Sequence, residues 1–169
     1  RCLEGARYYA QWAGAPYHVY GGRKGANDYA DDINTRSLMT NWLGGGSPYM
    51  PALQGKKVPI ELSLAVHSDA GYNKDGKTTW GSLAICTTNF NDGMLNSGIS
   101  RMTSKDLAKA LLKNLVSDLR QQYGEFSERY LWDRNYSETR LPEVPAAIIE
   151  TLSHQSFPDM KIGQDPMGK

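Results

Sequence analysis

The stretch Val144-Pro-Ala-Ala-Ile-Ile-Glu150 is a short apolar run that does not alternate with polar residues. That is the pattern of a central strand covered on both faces, and it places Glu150 at the strand's carboxyl end. A second strand is legible in Pro59-Ile-Glu-Leu-Ser-Leu-Ala-Val-His67, where Ile60, Leu62, Leu64 and Val66 alternate with Glu61, Ser63, Ala65 and His67. A third candidate, Thr78–Thr88, is built around Leu83, Ile85 and Cys86 and follows a Gly/Asn/Asp-rich turn over 71–77.

Helical patterns separate these strands. Leu3 to Ala13 reads as a short helix stopped by Gly14, Tyr17–Tyr20 as a brief extended run, and Asp31 to Leu43 as a helix ended by Gly44-Gly45-Gly46. The plainest helix has Ser104 as its cap and Leu107, Leu111, Leu115 and Leu119 every fourth residue. Ala108, Leu112 and Val116 widen its stripe until Gly124, and Lys105, Lys109 and Lys113 form a solvated row. Helices between strands, one strand doubly buried, predict an α/β fold. With no internal repeat or low-complexity tract, residues 1–169 read as one domain.

Composition excludes several classes. The chain has 169 residues, 40% of them hydrophobic, and a formal charge of +1, so it carries neither the disorder signature nor the basic excess of a nucleic-acid binder. No apolar run approaches the roughly 20 residues that span a bilayer. The chain opens Arg1-Cys-Leu-Glu without an initiator Met or a signal peptide and is expected to derive from a longer parent with other domains. Cys2 and Cys86 allow at most one disulfide and read as partly buried free thiols.

In open α/β sheets ligands lie beyond the carboxyl ends of the strands, so His67 and Glu150 are expected to meet. The small polar stretches Ser68-Asp69-Ala70-Gly71 and Thr151-Leu-Ser-His154 suit a site rim. A histidine and a carboxylate are a suitable pair for a metal that activates water. Of the three histidines, His18 sits in an aromatic run and reads as structural, and His154 has no ligand spacing. Tyr72 and Trp80, with Trp132 and Tyr136, offer aromatic faces for sugars, while Trp42 reads as core.

Three separated places in the chain resemble the zinc-dependent N-acetylmuramoyl-L-alanine amidases of the amidase-3 type. Ser63-Leu-Ala-Val-His67-Ser-Asp-Ala70 is similar to the family's strand ending in Ser-x-His-x-Asn-Ala, with Asp69 in place of the Asn. Val144-Pro-Ala-Ala-Ile-Ile-Glu150-Thr-Leu-Ser-His-Gln-Ser156, with Asp159 beyond, is similar to its Pro-Ala-x-Leu-Val-Glu segment. Glu4 stands where the family has its glutamate ligand, and Asn34-Thr-Arg36 resembles the family's later Arg. The resemblance implies a three-layer sandwich with a mixed, largely parallel sheet, zinc held by Glu4 and His67, and Glu150 as the catalytic acid/base. It also implies that the first strand, with its own His ligand, and the last helix are missing from this chain, truncated at both ends.

By the same resemblance the substrate is peptidoglycan or another glycan and the location is extracytoplasmic; Tyr72, Trp80 and Arg140 are the residues expected to contact substrate. The long glycine-rich stretch over 21–51 resembles amidase-like domains of secreted Bacteroidetes proteins, some labelled xanthan lyases. Two other readings stand beside the hydrolase. One is a glycan-binding or scaffolding domain derived from the amidase fold. The other is a polysaccharide lyase component using Arg101, Arg134 or Arg140 to neutralise a uronic acid.

Overall fold

The computed structural model describes residues 5–168. In chain order these form α1 (Gly5–Trp12), α2 (Tyr17–Tyr20), α3 (Asp28–Gly44), β1 (Ser63–Asp69), β2 (Ser82–Cys86), α4 (Met102–Tyr123), β3 (Glu128–Asp133), α5 (Ser137–Arg140), β4 (Ala146–Ser153) and α6 (Phe157–Gln164), closed by a 3-10 turn at Pro166–Gly168. The four strands lie in the order β1-β4-β2-β3. β1 and β4 run parallel, as do β2 and β3, and the two pairs join antiparallel where β2 meets β4. The expected α/β class and mixed sheet are what the chain forms.

One face of the sheet is closed by α4. Ala108, Leu112, Val116 and Leu119 pack on Ala84, Cys86, Ala147 and Ile149, with Phe126 and Ile162 at the ends. The most buried line of α4 thus runs through Ala108, Leu112 and Val116, and Leu107, Leu111 and Leu115 flank it. Removing each large aliphatic side chain there from water is worth about 2 kcal/mol. The Cys86 thiol lies in this layer, its pKa pushed up to about 11 by burial and the Asp133 charge. Cys2 lies outside the described residues, as does Glu4.

The opposite face carries Leu83, Ile85 and Ile148, joined by Ala65 and Trp132. Helix α5 covers it in part, with α3 behind α5. Helices α1 to α3 share a small core of Ala10, Ala15 and Val19, against which Trp42, Leu38 and Met39 pack. The chain after α3 returns tightly over that helix: a Cβ at Gly55 would lie 2.0 Å from the Trp42 carbonyl oxygen. Asp159, at the start of α6, is fully buried and accepts hydrogen bonds from the backbone N–H groups of Trp80, Gly81 and Ser153 and from Ser156 Oγ. It locks the end of β4 to the entry of β2.

Several local expectations are corrected. Residues 17–20 form a helical turn after Pro16, because Val19 buries against α3. Helix α3 starts at Asp28, where Asn27 Oδ1 accepts from Ala30 N. Ser104 does not cap α4, which begins at Met102. Its buried Oγ accepts from Ala146 N and ties the helix to β4.

The alternation in β1 is real, and its apolar side is the exposed one. Ala65 and His67 point inward, while Leu64 and Val66 are 48% and 65% exposed. The register pairs Leu64 with Ala147 and Val66 with Ile149, on the α4 side of the sheet. Helix α4 packs on β2, β4 and β3, and β1 lies at the sheet's edge beyond them.

Candidate active site

His67 and Glu150 are direct register partners on the adjacent parallel strands β1 and β4. Just beyond them β4 advances one residue more than β1, from the pair His67↔Glu150 to Asp69↔Ser153. This bulge turns the strand ends, and Thr151 Oγ1 holds it by donating to the His67 carbonyl oxygen at 3.1 Å. The two side chains open into a cavity of about 370 Å³, floored by Leu83, Ile85 and Ile148 and walled by Asp69, Arg129, Tyr130, Trp132, Tyr136 and Glu138.

Glu150 is partly buried, and its Oε2 is enclosed without a hydrogen-bond partner. Burial raises its pKa above the usual carboxylate value; Asp69 and Glu138 push the same way, while His67 and Arg129 oppose. An upward shift is the direction that suits a carboxylate to both taking up and giving back a proton.

The sequence reading missed Glu138. Its carboxylate Oε2 lies 2.8 Å from His67 Nε2, and its Oε1 accepts from Arg36 Nη1 at 3.2 Å. Burial alone pushes the Glu138 pKa up, but the His67 hydrogen bond and charge, helped by Arg36, hold it below its ordinary value. The His67 pKa rises in turn, chiefly through its bond to Glu138 and against the effect of burial. No spacing signal marks Glu138, because α5 is a single turn that depends on α3, about a hundred residues earlier, to hold it.

Arg129 is the arginine of the cavity. It is ion-paired with Asp69 and stacks over the rings of Trp80 and Tyr130, 4.6 and 5.2 Å from their centroids. Burial pushes the Asp69 pKa up, but Arg129, the Ala70 N–H and Trp80 Nε1 together lower it. Trp80 therefore buttresses the Asp69–Arg129 pair, and Tyr72 projects outward at 62% exposure, apart from the cavity wall. Arg140 reaches Asn135 Oδ1 and the Phe90 ring. Arg101 is buried against the carbonyls of Met94 and Arg140, and Arg134 lies over Trp132, so none of these three lines the cavity. His18 and His154 are exposed, the latter bonded to Ser68.

The cavity is lined by one imidazole, that of His67, and by the three carboxylates of Asp69, Glu138 and Glu150, with Glu150 Oε2 unpartnered; these are residue types that zinc takes as ligands. Among the described residues, no three His, Cys, Asp or Glu side chains are grouped as a metal ion requires, and Glu4, the other expected ligand, lies outside them. Among the described residues no helix is long and apolar enough to cross a membrane.

No family model matches the chain, and no curated protein matches it. Its fold is similar to the crystal structure of N-acetylmuramoyl-L-alanine amidase from Clostridium difficile 630. The TM-score is 0.53 over 89% of this chain and 69% of that one, at 16% sequence identity. The chain has an amidase-like α/β fold.

Proposed function

We propose that the chain is the catalytic domain of a zinc-dependent amidase, acting outside the cytoplasm on the amide between N-acetylmuramic acid and L-alanine in peptidoglycan, or on a related amide. The observation that carries this reading is the Glu150 carboxylate, raised in pKa and with an orphaned oxygen, beside His67 in a cavity of an amidase-like fold. His67 and Glu4 are the residues assigned to hold zinc. Zinc, when bound, lowers the pKa of a water molecule and polarises a carbonyl.

The chain's own residues do the rest. The apolar floor of Leu83, Ile85 and Ile148 limits water around Glu150 and keeps its carboxyl ready to exchange a proton. Glu150 takes the proton from the attacking water. As the C–O bond forms and the C–N bond breaks, it passes that proton to the departing amide nitrogen. Tyr130, Trp132 and Tyr136 on the cavity wall present aromatic faces to the sugar or stem peptide. Tyr72, Trp80 and Arg140 do not line the cavity, and of the three the exposed Tyr72 is assigned to longer portions of substrate.

Zinc stoichiometry after dialysis tests the assignment. About one zinc per chain, lost in Glu4→Ala and in His67→Ala, supports it. Retention of zinc in either variant contradicts the ligand assignment. A chain that takes no zinc but binds glycan instead favours the non-catalytic binding domain, the reading in line with the absence of a three-ligand cluster among the described residues.

A further inference from the structure

A carboxylate held ionised by an arginine has only lone pairs to offer. Arg36 holds Glu138 in this way, so the 2.8 Å contact between Glu138 Oε2 and His67 Nε2 requires the proton to sit on Nε2. A neutral imidazole in that state carries its free lone pair on Nδ1. Among the described residues no hydrogen-bond partner of Nδ1 is found.

The support for Glu138 is rigid. Helix α5 is pinned to α3 by Ser37 Oγ, which donates to the Ser137 carbonyl at 3.2 Å, and by Asn41 Nδ2, which donates to the Leu141 carbonyl at 2.8 Å. From the other side Arg101 Nη2 donates to the Arg140 carbonyl at 3.0 Å, and the Thr139 and Thr87 hydroxyls bond at 2.7 Å. Arg36 is itself paired with Asp32, which accepts from the backbone N–H of Arg7 in α1. A chain of polar contacts thus runs from α1 through α3 and α5 to β1, and ends on one imidazole nitrogen.

We propose that Glu138 is a positioning residue: it fixes His67 in the Nε2–H tautomer and in one ring orientation, so that Nδ1 is the nitrogen presented to a divalent metal ion. The proposal rests on the reading of His67 as a metal ligand. Carboxylate partners of ligand histidines typically contribute about 10- to 100-fold to metal affinity.

Nitrogen-15 NMR of histidine-labelled, metal-free chain, at alkaline pH where the imidazole is neutral, tests the tautomer directly. His67→Ala assigns the signal. The wild type is expected to show a protonated Nε2 and a bare Nδ1. Glu138→Gln, whose amide oxygen accepts the same bond, is expected to keep that pattern, and Glu138→Ala to give mixed tautomers. In a zinc chloride titration Glu138→Ala is expected to bind about 10- to 100-fold more weakly than the wild type, with Glu138→Gln losing less. A proton on Nδ1 in the wild type, leaving Nε2 free to share a metal with Glu138, overturns the proposal. So does a tautomer unchanged in Glu138→Ala. A wild type with the Nε2–H tautomer that takes no zinc supports the positioning role and overturns the ligand reading beneath it.

Discussion

The two faces of β4 are built from alternate residues of one strand and solve opposite problems. Ala147 and Ile149 enter a dry layer beneath α4, matched by Ala84, Cys86, Ala108, Leu112 and Val116. Ile148 and Glu150 point the other way, where the apolar floor ends at a carboxylate with an orphaned oxygen. The first face maximises packing. The second gives up stability to hold a group out of water, a bargain that proteins strike at functional sites.

Substitutions on the two faces should therefore separate activity from stability. Glu150→Gln is expected to lower turnover of a muropeptide by about a hundred- to ten-thousand-fold, the range for loss of a general acid/base. Leu112→Ala, on the closed face, is expected to cost about 2–5 kcal/mol in urea denaturation, through lost burial and the cavity left behind. Turnover per folded molecule should stay near the wild-type value. If Leu112→Ala instead removed activity with the fold intact, the division between the faces would be lost.

Smaller effects sharpen the same contrast. The pair formed by His67 and Glu138 is coupled to pH from both sides. His67, with its pKa raised above 6.5, contributes stability that is complete below that value and is lost as pH rises through the folded pKa. Glu138, with its pKa lowered below 4.5, contributes stability that is complete above 4.5 and is lost as pH falls through the folded pKa. The wild type should therefore exceed Glu138→Gln by about 1 kcal/mol between these limits, and the gap should close on either side of them. Thermal melts across pH measure this directly, and a constant gap would count against the coupling.

The smallest expected effect is on the Tm of Glu150→Gln near neutral pH. Replacing a carboxylate that is costly to ionise in its pocket should raise the Tm by about 2–4 °C, for a gain of ~1 kcal/mol. A lower Tm would show that Glu150 supports the fold rather than straining it.

What the sequence reveals follows the same division. β4 was readable because both its faces are buried, so the apolar run is uninterrupted, and its pairing with β1 brings His67 to Glu150 as the strand ends predicted. The buried face of β1 was not legible, because alternation says which residues share a side but not which side a helix covers, and α4 packs on the other three strands. β3 went unseen since Glu128-Arg-Tyr-Leu-Trp-Asp133 is an edge strand with polar ends and half-buried aromatics. Glu138 and Arg129 were invisible for a different reason. Each acquires its role only from partners far away in sequence, Arg36 and His67 for the one and Asp69 for the other.

If the open face of β4 is a hydrolytic site driven by Glu150, its product is a freed stem peptide. Mass spectrometry of purified peptidoglycan, incubated with zinc-loaded wild type and with Glu150→Gln, detects that product. The wild type is expected to release stem peptides with a free L-alanine amino group, and the variant almost none. Equal release by both chains, or none by a wild type that holds its zinc, would contradict a hydrolytic site there.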